Sequence, residues 1–329
     1  MIRECYVEGQ AALVYETGAV VATILPALGG KIISLVERAT GREVLWRQPG
    51  RPLRRPAYGD RYDRYDISGW DECFPSIGAC PYPEAPWEGR PIPDHGELWA
   101  VPWRAESAGD ELALSAEGVQ FPYVFERRFR PIPDGLRVLY SVINTGASPL
   151  RYLWSMHPFL AVTPTTRILL PAGAWVQVEI SKHARLGEPG KRHVWPRASD
   201  AAGHAIDLDL IGPPAQGWLE KLYAHDLVAR WVAAIDEPTG DYIAFTFDQQ
   251  LPPVVGMAIN RGGWPFDDAP VCNLILEPCS GWPDRLDEAL DHGACSVPPA
   301  GAQARWRVDL HVGRGQERLR AAIGGGSAV

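Results

Sequence analysis

Several signatures of familiar chemistry are missing from this sequence. Its six cysteines include no C-x-x-C pair. Cys73 and Cys80 stand too far apart for a zinc knuckle, as do Cys272 and Cys279, so the thiols are expected to be buried and reduced, with no metal and no disulfide. No G-x-G-x-x-G or P-loop segment is present to cradle a dinucleotide or a phosphate, so no cofactor is expected. There is no long run of like charge, and the formal net charge of -8 carries no basic stripe of the kind that binds nucleic acid. The longest apolar stretch near the start, Ala19 to Leu28, is broken by Thr23 and Pro26 and is far too short to span a bilayer. The first residues lack the charged and apolar regions of a secretory signal. A soluble, cytoplasmic protein is the expectation, with no nucleic-acid or membrane partner.

What the sequence does contain is a succession of short apolar runs separated by turn residues. Ala11 to Tyr15, Val20 to Leu25, Ile32 to Val36 and Val44 to Trp46 are punctuated by Thr17-Gly18 and Thr40-Gly41. The clearest hairpin is central: Tyr123, Phe125, Arg127 and Phe129 share one parity, Pro133-Asp134-Gly135 makes the turn, and Leu136, Val138, Tyr140 and Val142 continue with period 2. This alternation is that of a sheet with one buried face. Further strands are read at 150–154, 168–170, 175–180, 228–235, 242–247, 273–276 and 304–312. One helix is expected at 317–323, before the three glycines 324–326. Long Pro/Gly-rich loops fill 49–93 and 181–217; the first holds Trp70, Phe74, Tyr82 and Trp87, which argues that it is ordered. The reading is an all-β, antiparallel sandwich: one large domain over 1–315, then a short C-terminal helix and flexible tail over 316–329.

Three segments pair a titratable residue with turn-forming neighbours. His95 lies in Pro93-Asp94-His95-Gly96-Glu97-Leu98-Trp99, and a loop histidine is either functional or simply on the surface. His157 follows Trp154-Ser155-Met156 and precedes Pro158; it reads as a catalytic group or as a core histidine bonded to backbone. Glu277 closes the apolar run Asn273-Leu274-Ile275-Leu276. A carboxylate there is either exposed at the strand end or buried, and burial raises its pKa toward the range of a general base.

Together these segments resemble the galactose mutarotase-like (aldose 1-epimerase) family. Leu28-Gly29-Gly30-Lys31-Ile32-Ile33-Ser34-Leu35 is similar to the family's glycine-rich strand entry. His95-Gly96 matches its HG segment. Val142-Ile143-Asn144-Thr145-Gly146 matches the asparagine turn shortly before His157, and Leu276-Glu277-Pro278 with Asp284 matches its late L-E-P segment. The resemblance implies an antiparallel β-supersandwich with its site in a cleft across one sheet. It also implies Glu277 as general base, His157 as general acid, and His95 hydrogen-bonded near the ring oxygen of a small sugar. The activity implied is aldose 1-epimerase (mutarotase), exchange of the α and β anomers of a sugar.

Two departures separate the chain from galactose-specific members. Pro158-Phe159 stands where they carry a tyrosine-phenylalanine pair, and their glycine-arginine segment has no counterpart. Ser68-Gly69-Trp70-Asp71-Glu72-Cys73-Phe74-Pro75-Ser76 is similar instead to the F-P segment of more distant members, which makes Asp71 a ligand-binding candidate. Trp70, Trp99 and Trp282 lie beside the motifs and are candidates to stack on a sugar face; each is otherwise an ordinary core or rim aromatic. Glu220 is similar to an acidic residue that binds a sugar hydroxyl in related proteins. Hexose-6-phosphate members carry an arginine soon after their HG segment; Glu97 occupies that neighbourhood here, so a neutral sugar is expected. A noncatalytic carbohydrate-binding protein of the same fold and a polysaccharide lyase or glycosidase are the alternatives. Hydrolysis usually needs two facing carboxylates; Glu277 has no obvious partner in the sequence, and Asp71, Glu72 and Glu97 are the candidates for one.

Overall fold

A computed structural model describes residues 1–200, 202–213, 216–264 and 271–324. Within them, two large antiparallel sheets face each other. One has eleven strands in the spatial order Ile2–Val7, Gln10–Glu16, Val20–Leu25, Lys31–Glu37, Trp70–Cys73, Ser155–Leu160, Cys272–Pro278, Val255–Arg261, Trp218–His225, Trp175–Ser181 and Arg192–Val194. The other has eight: Thr166–Leu169, Trp231–Asp236, Asp241–Phe247, Gln303–Arg314, Gly135–Asn144, Tyr123–Ile132, Glu111–Glu117 and Arg104–Ala108. A helix at Gln316–Ala322 follows the long strand Gln303–Arg314, and its Leu319 is buried against Trp231 and Tyr242. Residues 325–329 of the expected tail lie outside the described residues. Among the described residues no helix is long and apolar enough to cross a membrane.

The central hairpin shows how period 2 builds the core. Tyr123–Ile132 pairs with Gly135–Asn144, and Tyr123, Phe125, Arg127 and Phe129 all point inward against Leu136, Val138, Tyr140 and Val142. Arg127 is therefore a guanidinium at a core position. It is fully buried, and its Nη1 donates to Glu72 Oε1 at 3.0 Å while its other arm reaches the Gly30 carbonyl. Glu72 accepts further bonds from Tyr140 at 3.0 Å and Trp154 Nε1 at 2.9 Å. Four hydrogen bonds thus compensate the burial of two charges.

The loop read over 49–93 is partly sheet. Trp70–Cys73 forms a strand in the middle of the larger sheet, pairing with Ser155–Leu160. All four of its residues are buried, so neither face gives the alternation by which a strand is read. The strands Trp218–His225 and Val255–Arg261 escape a period-2 reading for the same reason. The aromatics of this loop do order it: Trp70, Phe74, Tyr82 and Trp87 are all buried. Gly29 is required by space as well as by its φ of +68°, since a Cβ there would lie 2.5 Å from the Trp99 carbonyl oxygen. All six cysteines are free.

Replacing Arg127 with Leu strands the Glu72 carboxylate in the core. Unfolding by urea should show a loss of about 3–5 kcal/mol. A loss below about 1 kcal/mol would mean that Glu72 is protonated without its partner.

Candidate active site

The two faces of the larger sheet have different company. Met156, Leu160, Leu274, Leu276, Met257, Ile259 and Leu222 point toward the other sheet and join the main core. The alternate residues, His157, Phe159, Ile275, Glu277, Gly256, Ala258, Lys221 and Tyr223, therefore emerge on the opposite face. Register aligns them in rows. Phe159 stands opposite Ile275, Ile275 opposite Ala258, and Ala258 opposite Lys221. One step along the strands, Glu277 stands opposite Gly256, and Gly256 opposite Tyr223.

A cavity of about 350 Å³ opens on this face, lined by His95, His157, Glu277, Lys221, Asp284, Arg61, Tyr62, Phe159, Ala258, Trp264, Asn273 and Ile275 among others. His95, His157 and Glu277 therefore converge. His157 Nε2 lies 3.8 Å from Glu277 Oε1, and the rings of His95 and His157 meet edge to face at 4.9 Å. Three buried polar atoms of this group have no hydrogen-bond partner: Glu277 Oε1, His157 Nδ1 and Asn273 Nδ2. Buried polar groups are normally satisfied, so unmet ones gathered at a cavity are available to water or a polar ligand there.

Each side chain is held from behind. The other oxygen of Glu277 accepts from Ser155 Oγ at 3.1 Å and from the Lys221 ammonium. Lys221 is also 3.6 Å from Asp284 Oδ1, and Asp284 accepts the Tyr223 hydroxyl at 2.6 Å. His95 sits in a left-handed turn, φ +59°, followed by Gly96, whose absent Cβ lets the chain pass against the Phe74 backbone. The His95 ring stacks on Tyr62 at 3.9 Å, and its Nδ1 bonds Asp94 at 2.9 Å. Tyr62 in turn donates to Asp71 at 2.8 Å, and Asp71 pairs with Lys31 at 3.0 Å.

Electrostatics follow from this burial. Desolvation pushes the Glu277 carboxyl above its ordinary range, and Lys221 opposes that rise. Burial pushes His157 well below the ordinary imidazole range, with His95, Lys221 and Lys31 adding to the effect. Burial alone would raise Asp94, but the neighbouring His95 outweighs it and holds Asp94 low.

Other residues singled out in the sequence sit elsewhere. Trp70 is fully buried between the sheets against Phe245, so its ring cannot meet a ligand. Trp99 is buried behind Tyr62, with its indole N–H on the Asp94 carbonyl. Trp282 packs on His225 and His292, in a different recess. Among the described residues, the tryptophan that lines the cavity is Trp264, carried on a turn that Asn260 clamps through bonds to the N–H groups of Gly263 and Trp264 and to the Trp264 carbonyl. The signal for it was the Gly262-Gly263 pair after a strand. Glu220 is one residue out of phase: it faces away from the cavity and pairs with Arg185, while Lys221 holds the cavity position. Asp71 lies one layer beneath, under Tyr62. Glu97 is wholly buried and accepts from Tyr58, Tyr123 and the backbone of Val119 and Gln120. It does not line the cavity, so it does not bear on the sugar's charge; Arg61 and Asp63, paired with each other, do line it.

Cys73, His95 and His157 present ligand atoms within 4.8 Å of one another. Cysteine spacing could not reveal this set, because its members come from three segments. It is poorly suited to a cation: burial, with the Glu277 charge next in weight, drives the Cys73 thiol well above its ordinary pKa, so the thiolate ligand is costly to form.

Solved structures share the architecture. A galactose mutarotase-like protein from Clostridium acetobutylicum superposes with a TM-score of 0.69 at 13% identity, covering 96% of this chain and 99% of that one. A galactose mutarotase related enzyme from Lactobacillus acidophilus gives 0.66 at 15%, over 92% and 97%. A galactose mutarotase-like protein from Lactobacillus casei gives 0.61 at 18%, over 92% and 100%. The chain has the galactose mutarotase-like fold. Nearly the full length of each neighbour is covered, so the galactose mutarotase-like architecture extends to both sheets and the cleft strands. No family profile matches the sequence. The uncharacterised protein YphB of Escherichia coli K12 is 30% identical over 101 residues, 30% of this chain and about a third (34%) of that protein's length.

Gly256 leaves the room that the Glu277 carboxylate occupies: a Cβ there would stand 2.7 Å from Oε2. Gly256→Ala should displace the carboxylate from Lys221 and cost about 1–3 kcal/mol of stability by overpacking. A crystal structure of the variant with Glu277 unmoved would refute this.

Proposed function

We propose that the protein is an aldose 1-epimerase, a mutarotase that interconverts the α and β anomers of a free sugar or sugar derivative. The observation that carries the reading is the unpartnered Oε1 of Glu277 facing His157 Nε2 across 3.8 Å, in a cavity of pyranose size. The fold shared with mutarotase-related neighbours supports it.

The reaction moves protons only. Glu277 Oε1 takes the proton of the anomeric hydroxyl, the bond between C1 and the ring oxygen breaks with its electrons going to that oxygen, and His157 supplies the proton it needs. The aldehyde rotates about C1–C2, and the same steps run backward on the other face. The pair thus carries one proton throughout, on His157 before opening and on Glu277 after it. Two groups this close titrate as a unit. Burial alone favours the form with Glu277 protonated and His157 neutral; the Lys221 contact favours the form with the carboxylate ionised. Proton exchange is fastest when the two forms are near in energy. His95, oriented by Asp94 and Tyr62, is placed to hydrogen-bond the sugar beside the ring oxygen. Trp264 and Phe159, nearly parallel with centroids 6.4 Å apart, offer flat apolar surfaces to the sugar's C–H face.

Freshly dissolved single anomers of several aldoses, plain and acidic, followed by NMR, test the reading. Exchange should accelerate for at least one sugar and follow a bell-shaped pH dependence, falling when the pair gains a second proton or loses its only one. Glu277→Gln should slow exchange by about 100-fold or more while sugar binding persists. Near-normal turnover in that variant would place the base elsewhere, and binding without any exchange would favour a noncatalytic carbohydrate-binding protein.

A further inference from the structure

We propose that Lys221 is a positioning residue for this reaction: by pinning Oε2 of Glu277 while it is itself held by Asp284, it leaves Oε1 alone to face the sugar and keeps the base charged. The inference rests on the mutarotase reading. Its structural basis is an asymmetry within one carboxylate. Oε2 has two donors, Ser155 and Lys221, and a glycine behind it; Oε1 has none. A carboxylate held in this way cannot rotate its ends, so the lone pair that accepts the anomeric proton has a fixed direction.

Lys221 borders the cavity, but its buried ammonium lies between two acids, Glu277 and Asp284. Those two acids raise its pKa against the burial that would lower it, so it stays charged. Asp284 is further tied by the Tyr223 hydroxyl, and its backbone N–H donates to Glu179 at 3.3 Å. Several other titratable groups surround Glu277 among the described residues. His157 comes from one neighbouring strand, and Lys221 and Tyr223 from another. Cys73 lies beyond His157's strand, and Cys279 and Asp284 come from the segment after Glu277, with Glu179 behind Asp284. Among the described residues, Lys221 is the one lasting cation in direct contact with Glu277, and it opposes the burial that raises the carboxyl.

Lys221 and Asp284 act on Glu277 in opposite directions, which gives a test that a merely structural role would fail. Removing Lys221 removes the charge that stabilises the carboxylate, and Glu277 should titrate higher. Removing the Asp284 charge relieves repulsion and frees Lys221 for Glu277, so Glu277 should titrate lower. The full chain is labelled with carboxyl-13C glutamate, and the Glu277 resonance is assigned by its loss in Glu277→Gln. Lys221→Met should move its midpoint up by about one to three pH units, Asp284→Asn should move it down, and Lys221→Arg should bring it back toward the parent. The acid limb of kcat/KM for anomer exchange should follow the same shifts, with KM changed less than kcat. An unmoved midpoint in Lys221→Met, or a raised KM with the limb in place, overturns the proposal. If Lys221→Met does not fold, Asp284→Asn decides: a midpoint that stays put or rises refutes it. A parent protein without anomer exchange overturns the mutarotase reading and this role with it, while the carboxyl titration still reports whether Lys221 sets the charge of Glu277.

Discussion

A buried carboxylate is stabilised by a cation, and on the cleft face of the larger sheet that requirement ties four strands together. Glu277 is fully buried, and its partners come from Ser155–Leu160 and Trp218–His225, with Gly256 between. A one-residue slip of the Cys272–Pro278 strand would turn Glu277 into the apolar core and leave Lys221 facing Asp284 alone. Because breaking a buried pair costs several kcal/mol, the register of these strands and the charge state of the site are one constraint. The cavity exists in the shape it does because the strands cannot slide.

The same economy appears on Trp70–Cys73. Two adjacent residues serve opposite faces: Glu72 turns inward to Arg127, which caps the Gly30 carbonyl, and Asp71 turns outward to Lys31 and Tyr62. Gly30 and Lys31 are likewise adjacent, on the neighbouring strand segment. Two ion pairs, one per face, therefore fasten the same joint. The outer one supports Tyr62, and Tyr62 supports His95 by stacking. The histidine's orientation depends on a core strand through two contacts, although the histidine itself lies in a loop.

How much of this could be read from residues alone follows the same division. The hairpin over Tyr123–Asn144 was legible because one face is wet and the other dry. The helix near the C terminus was legible from its bounding glycines. The strands that build the site were the hardest, since burial on both faces removes alternation and the ligand-facing positions carry polar residues that interrupt the apolar runs: Lys221 in Trp218–His225, Asn260 in Val255–Arg261. His95, His157 and Glu277 were legible as a set through resemblance and local setting. Lys221, which lines the cavity, stands one position from Glu220, the residue that the sequence favours until the phase of the strand is known. The tryptophans near the motifs were misleading for a related reason: closeness in sequence to a functional segment leaves open which side of the sheet a ring will face.

On the proposed mutarotase reading, chemistry and selection fall to different parts of the chain. The proposed proton-handling pair and its supports, Glu277, His157, Ser155 and Lys221, all stand on strands of the larger sheet, where neighbouring ladders fix each Cα. The groups that border the open side, Arg61, Tyr62, His95 and Trp264, stand on connections. Connections tolerate change in length and composition, whereas these strands do not, since any shift in them moves a buried charge. A different sugar could be accommodated by altering the 58–66 or 261–264 connection with the acid–base pair undisturbed. The departures from the galactose-specific pattern fit this division in part: the missing arginine segment would border the ligand, while Pro158 replaces a residue whose neighbours His157 and Phe159 keep their places on the cleft face.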